Sequence, residues 1–172
     1  MNLKLNLTAL RLRMPKHLYA LQNRLVRAPY FRGHSVHSPY IYSIVREVFM
    51  VRELQGEDHR LYEALLKKGI SERRAVQLQN LARHCGYQSF GLDQNEGDWM
   101  LLSEDFPRQR VVELVAEARQ RHRTVALLNP YASQERLALC KQIIEQHDCT
   151  TVDNRAYLLI FNNHLPKQHF KI

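Results

Sequence analysis

The first 46 residues of this chain contain no aspartate and no glutamate. They carry eight basic residues (Lys4, Arg11, Arg13, Lys16, Arg24, Arg27, Arg32 and Arg46), whereas the remainder holds seventeen of each sign. The net charge of +8 therefore belongs to an N-terminal arm in front of a neutral body. Such an arm suits nucleic acid, an anionic lipid surface or an acidic partner. It suits equally a solvated amphipathic helix packed through its leucines, because a charge run selects no ligand. Cysteine is scarce: the three thiols (Cys85, Cys140, Cys149) are odd in number and lack C-x-x-C spacing. That argues against a disulfide framework and a zinc knuckle, and for a reducing, cytoplasmic compartment. Long apolar runs are also missing. No stretch approaches the roughly 18 residues that span a bilayer, and Met1 to Met14 interleaves leucine with polar residues, so no signal peptide is expected. No internal repeat or low-complexity segment is present. The length of 172 residues and hydrophobic fraction of 45% suit one domain with a real core. The expected division is a basic helical arm over 1–50 and an α/β domain over 51–172.

What is present begins with Gly33-His-Ser-Val-His-Ser-Pro39. Ser38 is a good N-cap and Pro39 falls at the first helical position, where a missing N–H costs nothing. Ile41, Ile44, Val45, Val48 and Phe49 then form one apolar helical stripe. Residues 3–14 are ambiguous between strand and helix; 16–27 read as a helix ended by Pro29. Beyond Gly56 a short helix over about 58–68 and another from Ser71 to Cys85 or Gly86 are expected.

The second half changes character. Tyr87–Leu92 is a candidate strand, and Trp99–Leu102 a better one. Asp105 is placed to cap a helix reaching His122, Thr124–Leu128 is a continuous apolar strand, and Ser133 caps a further helix. Cys149–Val152 and Ala156–Phe161 form a hairpin around Asp153-Asn-Arg155. Alternation of this kind predicts an α/β fold: a helical N-terminal region, then a parallel, truncated Rossmann-like sheet ending in an antiparallel hairpin.

Arg32-Gly-His-Ser-Val-His-Ser-Pro-Tyr-Ile-Tyr42, with Val45 and Val48-Phe49 after it, resembles the N-terminal "HGxHSPFVY" signature of a family. That family is a group of class I S-adenosylmethionine-dependent methyltransferase-like proteins from Bacteroidetes. Tyr157-Leu-Leu-Ile-Phe161 followed by Lys167-Gln-His-Phe-Lys-Ile172 is similar to the family's last strand and its "KQHFKI" tail. The resemblance implies a Rossmann-like body whose first strand runs into an acidic, glycine-rich turn that holds the cofactor.

The chain departs from that pattern. Phe90-Gly-Leu92 matches the end of the first strand, but Asp93-Gln-Asn-Glu-Gly97 leads directly to the Trp99 strand, which resembles the family's fourth. The glycine-rich turn and two strands are missing. Ser103-Glu-Asp-Phe106 and Leu128-Asn129 stand where the family tends to carry acidic motifs. Adjacent parallel strands ordinarily need a crossover of roughly a dozen residues. Residues 87–92 are therefore expected either to run antiparallel to 99–102 or not to be a strand.

Asp93, Asp98 and Asn129 are the candidate cofactor contacts, weighed against solvated turn residues and, for Asp98, a structural strand opener. Arg11, Arg13, Lys16, Arg24, Arg27 and Arg32 form the candidate basic surface. His34 and His37 lie three apart beside serines, but zinc would need two further ligands that no nearby residue supplies. With Ser38 and Pro39 they are expected to position the helix start. No catalytic or metal-binding residue is assigned. Trp99 is expected in the core, and Arg119, Arg121, His122 and Arg123 complement a helix C-terminus. The expected function is a degenerate methyltransferase-like protein without cofactor or catalysis, acting through protein interaction. Its expected partner is a second copy or a full-length paralogue, because a shortened sheet leaves the apolar Trp99 strand near an edge. Two alternatives stay open: an active S-adenosylmethionine-dependent methyltransferase with a rebuilt site, and a nucleic-acid or anionic-surface binder acting through residues 1–46.

Overall fold

Ser38 opens the first described helix of the computed structural model, which describes residues 36–163 and 165–172. The two leucine-rich N-terminal segments, the arginines and lysine of the basic surface up to Arg32, and His34 lie outside the described residues. Ser38 Oγ accepts from Ile41 N at 3.4 Å, and Pro39 takes the first helical position. His37 is exposed and bonds no described residue, so Ser38 and Pro39 cap the helix without it. Helix α1 runs over Pro39–Ile44 and continues as a π turn over Val45–Phe49. The apolar stripe is buried: Ile41, Ile44, Val45, Val48 and Phe49 all enter the core. Composition groups α1 with the basic arm, yet it packs in the same apolar cluster as the sheet.

Helices α2 (Arg60–Lys67) and α3 (Glu72–Cys85) follow, and Gly86 ends α3 in the left-handed conformation, at φ 71°. Helix α3 buries amides as well as apolar groups. Asn80 donates to Glu53 O and accepts from Gln55 N, both at 2.9 Å. Gln79 accepts from Tyr62 N at 3.0 Å, and Gln77 donates to Phe49 O at 3.0 Å. These side chains satisfy the irregular backbone between α1 and α2, which would otherwise bury unpaired groups.

Strands β1 (Phe90–Leu92), β2 (Trp99–Leu102), β3 (Thr124–Leu128), β4 (Thr150–Asp153), β5 (Tyr157–Phe161) and β6 (His169–Lys171) form one sheet in the order β1-β2-β3-β5-β4-β6. Only β5 runs against its neighbours; the pairs β1–β2, β2–β3 and β4–β6 are parallel. Helices α4 (Arg108–Gln120) and α5 (Gln134–Gln146) connect β2 to β3 and β3 to β4. Alternate strand residues face opposite layers. Trp99, Leu101, Leu128, Tyr157 and Leu159 pack with α1–α3, while Met100, Leu102, Val125, Leu127 and Ile160 pack with α4 and α5. The fold is α/β, with a helical N-terminal region and a truncated Rossmann-like sheet. Among the described residues no helix is long and apolar enough to cross a membrane.

Three expectations need correction. Helix α4 begins after Pro107 rather than at Asp105, whose N–H instead donates to Ser103 Oγ at 3.3 Å. Strand β6 was not foreseen; it is three residues long, pairs with β4, and turns Phe170 against the core between exposed His169 and Lys171. Most important, β1 is a strand parallel to β2, with Phe90 opposite Trp99 and Leu92 opposite Leu101. A strand of three residues spans only about 10 Å, within reach of a short return loop. The loop lies flat on β1. A Cβ on Gly91 would stand 2.6 Å from Glu96 O and 2.8 Å from Gln94 O, and one on Gly97 would stand 2.9 Å from Phe90 backbone. Gly91 pairs with Met100, so the loop covers the α4 side of the sheet. Asn95 pins it there, donating to Glu117 at 2.9 Å and accepting from Arg123 at 2.8 Å. Strand β1 also keeps the fully buried β2 off the edge, so the exposed Trp99 edge expected to drive dimerisation does not exist.

Gly97 and Gly69 share a left-handed backbone (φ 79° and 77°), but only Gly97 has backbone against it. Gly97→Ala is expected to destabilise by about 1–3 kcal/mol more than Gly69→Ala in urea denaturation. Equal losses would show that the close approach is unimportant.

Candidate functional site

In open α/β sheets ligands bind beyond the carboxyl ends of parallel strands. Here that end gathers Asp93 after β1, Ser103 after β2, Asn129 after β3 and Asp153 at the end of β4. Asp93 and Asn129 are both left-handed, with φ 58° and 48°, a conformation Asp and Asn tolerate better than other side chains. Of the sequence-derived candidates, Asp93 and Asn129 come to this end. Asp98 does not: it opens β2 at the opposite end, where its carboxylate accepts from Gln88 N (3.0 Å) and Ser89 N (3.2 Å).

Each group at the carboxyl end is already engaged. Asp93 accepts from Ser103 N at 2.7 Å and Ser103 Oγ at 2.9 Å, and pairs with Lys68 Nζ at 2.8 Å. Burial opposes its ionisation, but the Lys68 ammonium and the two Ser103 donors outweigh it and hold the carboxyl below its usual range. Asn129 Oδ1 accepts from Arg74 at 3.1 Å, and Tyr131 donates to Asp153. The β1–β2 crevice is therefore clasped by Asp93 and Ser103.

The next crevice is plugged. Ser133 Oγ caps α5 by accepting from Arg136 N at 3.1 Å, which directs Arg136 back over the sheet. Its Nη2 donates to Leu102 O at 2.8 Å and Leu128 O at 3.0 Å, the last carbonyls of β2 and β3. The side chain is buried, and its Nε has no partner. Burial pulls its pKa below the ordinary guanidinium value, against the raising influence of Cys140, Glu104 and Asp93. The sequence gives little sign of this arginine, because a basic residue in the first turn of an amphipathic helix normally reads as solvated.

Among the described residues outside this end, the buried cysteines are not activated as nucleophiles. Burial pushes the Cys140 and Cys149 thiols up to about 11, away from thiolate at neutral pH. Ser43, His84 and Glu47 form a chain, with Ser43 Oγ 3.3 Å from His84 Nε2 and Glu47 3.3 Å from Nδ1. Ser43 directs its own hydroxyl proton to Tyr40 O at 2.8 Å, so it accepts from the imidazole and ties α1 to α3. Among the described residues no group of three or more His, Cys, Asp or Glu is placed to hold a metal ion. The chain matches no family model, no curated protein and no solved structure.

Asp93 provides a pH test. Its native pKa is depressed, so its contribution is complete above the unfolded carboxyl value of about 3.9 and is lost as pH falls through the lower native value. Asp93→Asn is expected to lower the melting temperature at pH 7 and to converge on the parent in acid. A constant difference across that range would rule out this coupling.

Proposed function

We propose that this chain is a shortened relative of class I methyltransferases that has lost S-adenosylmethionine binding and methyl transfer. It acts in the cytoplasm as an interaction protein, pairing with a second copy or a full-length paralogue. The observation that supports this most directly is Arg136 on the carbonyls of Leu102 and Leu128. A Rossmann-like sheet uses that end to receive a ligand, and here the chain's own guanidinium occupies it. The Asp93–Ser103 clasp adds to the closure. Partner binding draws support from Tyr42 on α1 and Met50 just after its π turn, which leave 45% and 40% of their surface exposed.

The alternative, an active methyltransferase with a rebuilt site, also has an observation in its favour. Strands β1 and β2 are parallel, and Asp93 follows β1 where the resemblance would place the cofactor turn. The two readings differ in one measurement. Calorimetric titration with S-adenosylmethionine is expected to give no saturable heat; saturable binding would favour the enzyme. For the interaction itself, light scattering across a wide concentration range is expected to give a mass above that of one chain. A constant single-chain mass, together with no association with a full-length paralogue, would refute it. Arg136→Met is expected to cost about 1–3 kcal/mol in urea denaturation, because it removes a charged donor from two buried strand-end carbonyls.

A further inference from the structure

Where α1 meets α3, the protons do not balance around a neutral histidine. Ser43 on α1 and Glu47 in its π turn bracket His84 of α3. Ser43 Oγ stands 3.3 Å from His84 Nε2, and Glu47 Oε2 stands 3.3 Å from Nδ1. The serine hydroxyl has one proton and directs it to Tyr40 O at 2.8 Å, so toward the ring it can only accept. An ionised Glu47 can also only accept. A neutral imidazole carries a single N–H, and Ser43 takes it at Nε2. Nδ1 is then left with a lone pair facing a carboxylate. Only the imidazolium, with a proton on each nitrogen, suits both neighbours.

The surroundings act on the same proton. His84 lies in the last turn of α3, where the helix carbonyls favour positive charge. Arg46 and Arg83 oppose it from the same hollow, in which Glu47 is the one carboxylate among the described residues. Tyr40 and Cys85 lie 3.5 Å apart, and burial keeps both in their neutral forms. The His84 side chain keeps 22% of its surface exposed and that of Glu47 65%, so the ring exchanges protons with water and the ion pair is partly screened.

We propose that Ser43, His84 and Glu47 form a proton-operated latch that holds α1 to α3 more tightly in mild acid than in weak base. As pH rises past the ordinary imidazole value of about 6.5, the Nδ1–H bond breaks, its electron pair stays on the ring and the proton passes to water. The ion pair to Glu47 is lost, while the Nε2–H bond to Ser43 remains. The stabilisation from Glu47 is therefore present in acid and lost as pH rises. The latch depends neither on the closure of the carboxyl-end crevice nor on a partner.

Urea denaturation of the full chain compares the parent with Glu47→Gln, His84→Gln and the double variant at about pH 5.5 and about pH 8.5. Ordinary glutamate, with a value of about 4.3, is ionised at both, so the imidazole is what changes between them. In acid Glu47→Gln is expected to lower the folding equilibrium constant about twofold to fivefold, the range of a partly exposed ion pair. The same substitution is expected to have no effect in the His84→Gln background, and none in base. Nitrogen-resolved spectra of the parent at about pH 8.5 are expected to place the remaining His84 proton on Nε2. An equal cost of Glu47→Gln at both pH values, a cost that survives without His84, or a neutral ring protonated at Nδ1 would each overturn the proposal.

Discussion

Everything on the β1 side of the sheet depends on backbone lying against backbone at Gly91. The return loop passes so near that a single methyl group there would meet two carbonyl oxygens inside contact distance. In a full Rossmann-like crossover a helix fills that position and its length provides the return. Here a loop does both, with Gly91 and Gly97 leaving room and Asn95 anchoring the loop to α4. Parallel pairing of β1 and β2 follows, and with it the position of Asp93 beside Ser103 and of Trp99 on an inner strand.

The two ends of the sheet are finished differently. At the carboxyl end every prominent polar group meets another group of the protein: Asp93 meets Ser103 and Lys68, Asn129 meets Arg74, Asp153 meets Tyr131, and Arg136 meets two strand carbonyls. That arrangement favours rigidity over exchange with a ligand, since each bond must be given up before a newcomer can be received. At the amino end Asp98 satisfies the backbone of Gln88 and Ser89, but the Trp99 N–H stays unpaired. Buried donors without a partner thus remain at both ends, Arg136 Nε at the carboxyl end and the Trp99 N–H at the amino end.

Much of the fold was legible because local chemistry and burial agree. Ser38 and Ser133 cap the helices expected of them, and the apolar runs at Trp99, Thr124 and Tyr157 are inner strands. The direction of β1 was not legible. The crossover rule assumes strands of ordinary length, and β1 has three residues and a glycine at its centre. Strand β6 escaped because it is only three residues long and turns a single side chain, Phe170, against the core. The site was harder still. Asp93 and Asn129 stood out beforehand as polar residues following strands, but Lys68, Arg74 and Arg136 carry charges that sequence alone assigns to solvent. Their placement depends on helices meeting the sheet at a particular height, which no local pattern encodes.

The lone reversed strand has a consequence for how the molecule assembles. Strand β5 occupies the gap between β3 and β4, both of which precede it in the chain. It is joined to β4 through Asn154–Ala156 but meets β3 across some thirty residues of intervening chain. Closing the short loop sacrifices less chain entropy than closing the long one. The β4–β5 hairpin is therefore favoured to form first and to dock on β3 as a unit, so that the centre of the sheet is filled from the side.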